Sequence, residues 1–370
     1  MVCWGGRFVG HPRRYNMPLK LQLYHTQGVP NEGVYKAIIK IGGIDFHVIV
    51  DTCSSDLVVR GHCCSRTQLH DVGSWPLGHG TATGEQSVVV YGSQTNRIAW
   101  YKDEMDMVPD ATDAGTYHPV SFGVIVSSKS HRVQGLVMPA RSILGLFARQ
   151  GTRCCGHGIL DDESFVKQIF GKQGYFRNPV YSLCIDRTGG TAELILGGLH
   201  EGIKGWVPLV SAIEYPMLED CPHCMIRIRR ASVVAHDGTS LLNFPFVLAR
   251  FDTGNTWLSL PRSAYQRYSC ITRDQGFAGL RLELDNSLVL FLPAFLFSAS
   301  VAEAQATGFG ALAEDTTLED TLMVIGNSAM KGMTVACNLA TAELGFGGVF
   351  TMVNDGKTVG PYPFVGASMV

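Results

Sequence analysis

The chain has 370 residues, of which 46% are hydrophobic and 17% are charged. This composition excludes a disordered chain, and the length favours two lobes because a single core rarely grows beyond about 250–300 residues. Lysine and arginine number 30 against 32 acidic residues, and the net charge of −2 excludes bulk attraction to nucleic acid. The longest uncharged apolar stretch, residues 288–302, is shorter than a membrane span and contains Pro293.

Short β-branched segments bounded by turn residues predict an all-β chain with a few short helices. An Asp-Gly turn at residues 236–238 predicts a hairpin. Helices are predicted over residues 162–170 and 263–268, which follow an aspartate and a proline that favour helix starts. In chain order, the predicted strands cover residues 34–41, 46–50, 87–91, 180–185, 192–196, 225–234 and 281–292.

An internal repeat is the most informative feature of the sequence. Residues 46–57 and 247–258 share an apolar strand, Asp-Thr, a small residue, a polar pair and a leucine, with Asp51 and Asp252 at equivalent positions. Each copy is followed by an apolar-apolar-Gly sequence that ends at Gly145 or Gly326. Two lobes built in this way can place the two aspartates face to face about a pseudo-two-fold axis.

Two facing carboxylates can activate a water molecule. Held about 3 Å apart they cannot both ionise, so they share one proton. One carboxylate then takes a proton from a bridging water that attacks a peptide carbonyl, and the other protonates the carbonyl oxygen. This chemistry requires no metal and no other cofactor. Side chains at suitable offsets to orient the carboxylates belong to Thr52, Ser54, Thr253 and Asn255.

On these motifs the chain resembles the pepsin-like (A1) eukaryotic aspartic proteases, from about residue 34 to residue 348. Three further segments match: Tyr91-Gly92-Ser93 at the family's flap tyrosine, residues 196–198 ahead of Trp206, and residues 334–347 at the closing strand pair. The resemblance implies two pseudo-two-fold-related lobes with the active site in the cleft between them. It divides the chain into an N-terminal extension (1–16), an N-terminal lobe (17–203), a C-terminal lobe (204–350) and a C-terminal tail (351–370).

The resemblance also implies an aspartic endopeptidase with an acidic pH optimum that acts as a monomer on an extended polypeptide. It implies the secretory pathway, a lysosome or vacuole, or the extracellular space, although residues 1–15 lack the apolar core of a signal peptide. The implied catalytic residues are Asp51 and Asp252, the supporting residues Thr52, Cys53, Ser54, Thr253, Gly254 and Asn255, and the flap residues Tyr91, Gly92 and Ser93.

Four positions depart from the family pattern. Cys53 replaces the glycine of the first Asp-Thr-Gly, and its Cβ and sulfur are expected to crowd the dyad or the facing loop. Arg250 lies two residues before Asp252 on the same strand face, where its charge is expected to lower the pKa of Asp252. Asn255 replaces a hydroxyl residue, and Val58 a tryptophan that supports the flap. These departures keep open an alternative, a catalytically impaired homologue that binds peptides or proteins.

The eleven cysteines include a Cys221-Pro-His-Cys224 sequence. With His62, the pair Cys63-Cys64 and the segment 154–157, it could supply a zinc site if these loops converge. A loop disulfide or inert thiols is the alternative interpretation. No metal is predicted at the two aspartates.

Overall fold

The computed structural model describes residues 18–26, 33–62, 73–76, 78–91, 94–107, 118–130, 132–133, 136–137, 140–147, 164–170, 175–210, 224–245, 248–274, 278–296, 312–315, 320–348 and 351–353. Within these ranges the chain forms 24 β-strands and two α-helices, which confirms the predicted all-β fold class. Neither of these helices has the length and apolar character needed to cross a membrane.

The strands follow one another through short turns along most of the described chain. They are β1 Leu19–His25, β2 Tyr35–Ile41, β3 Ile44–Asp51, β4 Leu57–Arg60, β5 Thr81–Tyr91, β6 Gln94–Asp106, β7 His118–Ser130, β8 Arg132–Val133, β9 Leu136–Val137, β10 Ile143–Gly145, β11 Val180–Ile185, β12 Thr191–Leu196, β13 Ile203–Pro208, β14 Met225–Val234, β15 Ser240–Phe244, β16 Leu248–Asp252, β17 Leu258–Pro261, β18 Gly279–Leu284, β19 Leu288–Pro293, β20 Leu312–Asp315, β21 Leu322–Gly326, β22 Met333–Asn338, β23 Glu343–Gly348 and β24 Thr351–Val353. The helices are α1 Phe165–Phe170 and α2 Arg262–Asp274.

Two large sheets contain most of these strands. One has thirteen described strands in the order β13-β23-β22-β11-β12-β1-β2-β3-β10-β4-β7-β6-β5. The other has nine, in the order β20-β17-β21-β16-β14-β18-β19-β24, with β15 beside β14. A common core of buried apolar side chains joins them, with Phe46 and Leu183 from the first sheet and Phe251 and Leu282 from the second.

The two halves of the sequence are interleaved in the larger sheet. Strands β13, β22 and β23 come almost entirely from the predicted C-terminal lobe, yet β22 pairs with β11 of the N-terminal lobe and carries β23 and β13 into the same sheet. The lobe boundary after residue 203 stays a prediction. The predicted tail begins with an ordered segment, because β24 pairs with β19.

The internal repeat corresponds to a parallel strand pair in each sheet. Strand β3 pairs with β10 so that Asp51 lies opposite Gly145, and β16 pairs with β21 so that Asp252 lies opposite Gly326. A Cβ at Gly145 would lie 2.5 Å from the carbonyl oxygen of Ser54, closer than atoms in proteins pack. The apolar-apolar-Gly sequences are therefore the strands that hold the two aspartate loops.

Several element predictions are confirmed and others are wrong in their bounds. The hairpin at residues 236–238 is confirmed, with Gly238 at φ 86° between β14 and β15. The single strand predicted over residues 281–292 is wrong: it is two strands, because Asp285–Ser287 form a short 3-10 turn and Ser287 adopts φ 59°. Helix α2 extends six residues beyond its predicted end, and α1 begins at Phe165, after residues that lie outside the described ranges.

Candidate active site

The carboxyl groups of Asp51 and Asp252 lie together at the ends of β3 and β16. An oxygen of each carboxylate and the Sγ of Cys53 all lie within 4.8 Å of one another. Asp51 is buried and Asp252 is half buried. Two carboxylates at this separation, removed from bulk water, are close enough to share a proton directly or through one water.

Each carboxylate accepts hydrogen bonds from the loop that follows it. The backbone N–H of Cys53 donates to Oδ1 of Asp51 at 2.8 Å, and the N–H of Gly254 donates to Oδ1 of Asp252 at 2.9 Å. Ser54 Oγ also donates to Oδ2 of Asp51. These equivalent bonds give the site the approximate two-fold symmetry that the sequence repeat predicts.

The two threonines stabilise the loops against each other, and their hydroxyls bond to backbone groups of the facing loop and not to the carboxylates; their predicted support of the pair stays a prediction. The N–H of Thr52 donates to Oγ1 of Thr253 at 2.9 Å, and the N–H of Thr253 donates to Oγ1 of Thr52 at 3.1 Å. Their hydroxyls donate across the interface to the carbonyls of Phe251 and Val50, each at 2.7 Å. All four bonds cross between chain segments about 200 residues apart, so they fix the spacing of the two aspartates.

The side chain of Asn255 does not reach Asp252, which corrects its predicted orienting role. Its backbone N–H donates to Oδ1 of Asp252 at 3.1 Å. Its Nδ2 donates instead to the carbonyl of Trp257 at 3.2 Å and to Oγ of Ser259 at 3.3 Å. An amide is longer than a hydroxyl, so it extends past the carboxylate and stabilises the turn that follows.

The pKa values of both aspartates are raised. Burial is the largest cause for each; it raises the pKa of Asp51 above its ordinary value and that of Asp252 to about 7. The charge of Asp51 raises the pKa of Asp252 further, whereas Arg250 acts in the opposite direction. Arg250 therefore lowers the pKa of Asp252 as predicted, but burial and the facing carboxylate outweigh the guanidinium, so the pKa of Asp252 is raised overall.

Cys53 lies in the first aspartate loop with its sulfur against the facing loop. Its φ is negative, unlike that of the two described non-glycine residues with positive φ. Its Sγ donates to the carbonyl of Phe251 at 3.4 Å, and burial raises the pKa of the thiol. The tighter position is Gly254, where a Cβ would lie 2.6 Å from Cγ of Asp51. The second Asp-Thr-Gly therefore needs its glycine, whereas the first tolerates a cysteine.

Two contributors to the site were missed by sequence reasoning. Cys224, a buried thiol, donates through Sγ to the carbonyl of Thr52 at 2.9 Å. Asn327, directly after the second apolar-apolar-Gly sequence, donates through Nδ2 to the carbonyl of Thr253 at 2.6 Å. The position of Asn327 directly after the repeated motif could have identified it from the sequence. Nothing in the sequence links Cys224 to a loop 172 residues away.

The proposed zinc loops fall mostly outside the described residues. These are Cys221, the pair Cys63-Cys64 and the segment 154–157. Among the described residues, the one group of three potential metal ligands is Asp51, Cys53 and Asp252. These are the aspartate pair and its neighbouring thiol, and burial raises the pKa of all three groups, which disfavours the ionised forms that a metal ion would bind.

The predicted flap is the hairpin of β5 and β6. Tyr91 is the last residue of β5, while Gly92 and Ser93 at the tip lie outside the described residues. The ring of Tyr91 packs on an apolar cluster that includes Val58 and Trp100. Its hydroxyl lies 3.5 Å from Oδ2 of Asp56, in the loop that follows Asp51. The hairpin therefore contacts the same loop that carries the first aspartate.

Comparisons with known proteins agree with this architecture. A family model described as eukaryotic aspartyl protease matches residues 34–347. A search of curated proteins gave no match. The fold is similar to the crystal structure of an aspartic proteinase from Irpex lacteus, at 15% sequence identity and a TM-score of 0.61, over 90% of this chain and 97% of that one. That likeness shows the bilobal fold, and the family match covers most of the sequence: this chain belongs to the eukaryotic aspartyl protease family.

Proposed function

We propose that the chain is an aspartic endopeptidase that uses Asp51 and Asp252 as its catalytic pair. The observation that carries the proposal is the carboxylate pair itself: oxygens within 4.8 Å, in two loops braced by Thr52 and Thr253. A binding cleft alone gains nothing from holding two like charges together, because that arrangement costs stability.

Both aspartates accept N–H hydrogen bonds from their loops, but Asp51 also accepts one from a hydroxyl, and the charge of Asp51 raises the pKa of Asp252. Asp51 accepts from the hydroxyl of Ser54 and from the N–H of Cys53, which stabilise its ionised form. Asp252, with a pKa raised to about 7, retains the shared proton. Asp51 is therefore the base that accepts a proton from water, and Asp252 is the acid.

The reaction then proceeds without a covalent intermediate. Water oxygen bonds to the peptide carbonyl carbon as its proton passes to Asp51, and Asp252 gives its proton to the carbonyl oxygen. When the carbon–nitrogen bond of the tetrahedral diol breaks, Asp51 returns a proton to the leaving nitrogen and a diol hydroxyl re-protonates Asp252. The pair ends in its starting state. The substrate is a polypeptide bound in extended form beneath Tyr91.

Cleavage of an unfolded polypeptide at pH 4 by wild type and by Asp51→Asn tests the proposal. The variant should lose at least about a thousandfold in rate, because it removes the base. Asp45→Asn, an exposed aspartate on the same strand, is the matched control and should cleave like wild type. A hydroxyl-bearing transition-state mimic of a peptide should block wild type. Equal cleavage by wild type and Asp51→Asn would contradict the proposal and favour a peptide-binding module.

A further inference from the structure

We propose that Asp56 is a positioning residue that holds the flap tyrosine over the aspartate pair. The hydroxyl of Tyr91 approaches Oδ2 of Asp56 at 3.5 Å, from the last residue of β5 to the loop between Asp51 and β4. The inference rests on the proposed endopeptidase function and adds a residue to which that function assigns no role.

Asp56 is held in place by its own loop. It is 5% exposed, and its carbonyl accepts a hydrogen bond from the N–H of Gly145 at 3.0 Å. The hydroxyl of Ser55 donates to Oδ1 of its carboxylate at 3.3 Å. The backbone is thus fixed by β10, and the second carboxylate oxygen, Oδ2, is presented to the flap. A buried carboxylate on a fixed backbone is a strong acceptor for a hydroxyl.

The groups around Tyr91 show why a carboxylate is suited to accept a hydrogen bond from its hydroxyl. Val58, which is fully buried beneath the flap, has no polar atom to offer the hydroxyl. The nearby indole of Trp100 donates through Nε1 to Oγ of Ser87 at 2.9 Å, so its N–H is used within the hairpin. Asp56 supplies the acceptor on the side of the catalytic loop.

This contact couples the position of the flap to the catalytic loop. Asp56 is five residues after Asp51 and shares its short loop, so a flap held by Asp56 is aligned with Asp51 itself. The separation of 3.5 Å is longer than the roughly 2.5–3.0 Å usual for an O–H···O hydrogen bond. Hydrogen bonds in open active sites often tighten when substrate binds, so we expect this contact to contribute more when substrate lies beneath the flap than when the cleft is open.

A double-mutant cycle with Asp56→Ala and Tyr91→Phe tests the contact in the full chain. Each variant should lower kcat/KM about three- to tenfold, and the double variant should fall no further, because both remove the same hydrogen bond. Asp56→Asn keeps an oxygen acceptor and should recover part of the loss. Glu85→Ala, an exposed carboxylate on the same hairpin, is the control and should retain wild-type kinetics. Independent, fully additive losses would overturn the proposal.

Hydrogen exchange of the flap gives a second readout that does not need activity. Backbone amides at the Tyr91 end of β5 and in β6 should exchange about threefold or more faster in Asp56→Ala and Tyr91→Phe than in wild type or Glu85→Ala. If the wild-type chain cleaves no peptide but this difference persists, the endopeptidase function fails while the Asp56 contact stands. Unchanged exchange in Asp56→Ala would overturn the role of Asp56.

Discussion

At the scale of single residues, Cys53 shows which part of an Asp-Thr-Gly loop the chemistry requires. The loop keeps the N–H that donates to Asp51, and its backbone does not adopt positive φ. Sγ lies within 4.8 Å of the carboxylate of Asp252. We therefore expect its bulk to exclude water from that side of Asp252 and so to change the electrostatics of the pair.

Cys53→Gly should move the alkaline limit of activity to lower pH. Removal of the sulfur admits water beside Asp252 and reduces the burial that raises its pKa, so we expect a shift of about half a unit or more. The pH dependence of kcat/KM measures it, with Cys184→Ala, a half-buried cysteine on β11, as the control. An unchanged profile in Cys53→Gly would show that the sulfur does not shield the pair.

Residue identities at the site were predictable, but hydrogen-bond partners were less so. Asp51 and Asp252 follow from the repeat alone, since no other pair of aspartates shares its context. The partners of Thr52 and Thr253 could not be read from the sequence, because each bonds to a loop 201 residues away. The same holds for the net pKa of Asp252, which depends on burial that the sequence does not give.

At the scale of elements, the aspartate loops are stabilised as a pair. Thr253 is 1% exposed, and its hydroxyl donates to the carbonyl of Val50 while accepting from the N–H of Thr52. Removal of this hydroxyl leaves two buried backbone groups without those partners. A buried backbone group without a partner loses its hydrogen bonds to water and gains none in the protein. The bonds between the two threonines therefore contribute to the free energy of unfolding as well as to the alignment of the loops.

Thr253→Val should lower the free energy of unfolding by about 1–3 kcal/mol, since it keeps the shape of the side chain and removes the hydroxyl. Urea unfolding measures the loss. Thr81→Val, at an exposed position at the start of β5, is the control and should change stability by less than about 0.5 kcal/mol. Equal effects of the two substitutions would contradict the brace.

Element bounds were predictable where turn residues flank a β-branched run. Strands β11 and β14 have their predicted bounds at both ends. The strand predicted over residues 281–292 failed because Asp285-Asn286-Ser287 contains no glycine or proline, although these residues also favour turns. Helix α2 continues past Tyr268 because residues 269–274 contain no glycine or proline that would end it.

At the scale of the whole molecule, the larger sheet joins both halves of the sequence. Strands β22 and β23, near the end of the described chain, pair with β11 and β13, and one apolar core continues into the second sheet. This interleaving was not predictable from local patterns, because strand pairing between distant segments leaves no periodicity in either one.

The chain should therefore unfold in a single cooperative transition, although two-lobed proteins often show two. Far-ultraviolet circular dichroism and tryptophan fluorescence should report the same midpoint in urea. Trp100 in β6 and Trp206 in β13 belong to the larger sheet, and Trp257 directly precedes β17 of the smaller one, so the fluorescence reports on both parts of the structure. Two separated midpoints would show that the lobes are independent units.

The pH dependence of kcat/KM between pH 3 and pH 8 tests the shared-proton pair most directly. The active pair carries one proton, and Asp252 has a pKa raised to about 7. Activity should therefore persist from acid to near-neutral pH and fall as the pH rises through about 7, when the pair loses its shared proton. Asp51→Asn should be inactive across the range. A profile that is flat, or that is the same in wild type and Asp51→Asn, would contradict the claim that these two aspartates share the proton that cleaves the peptide.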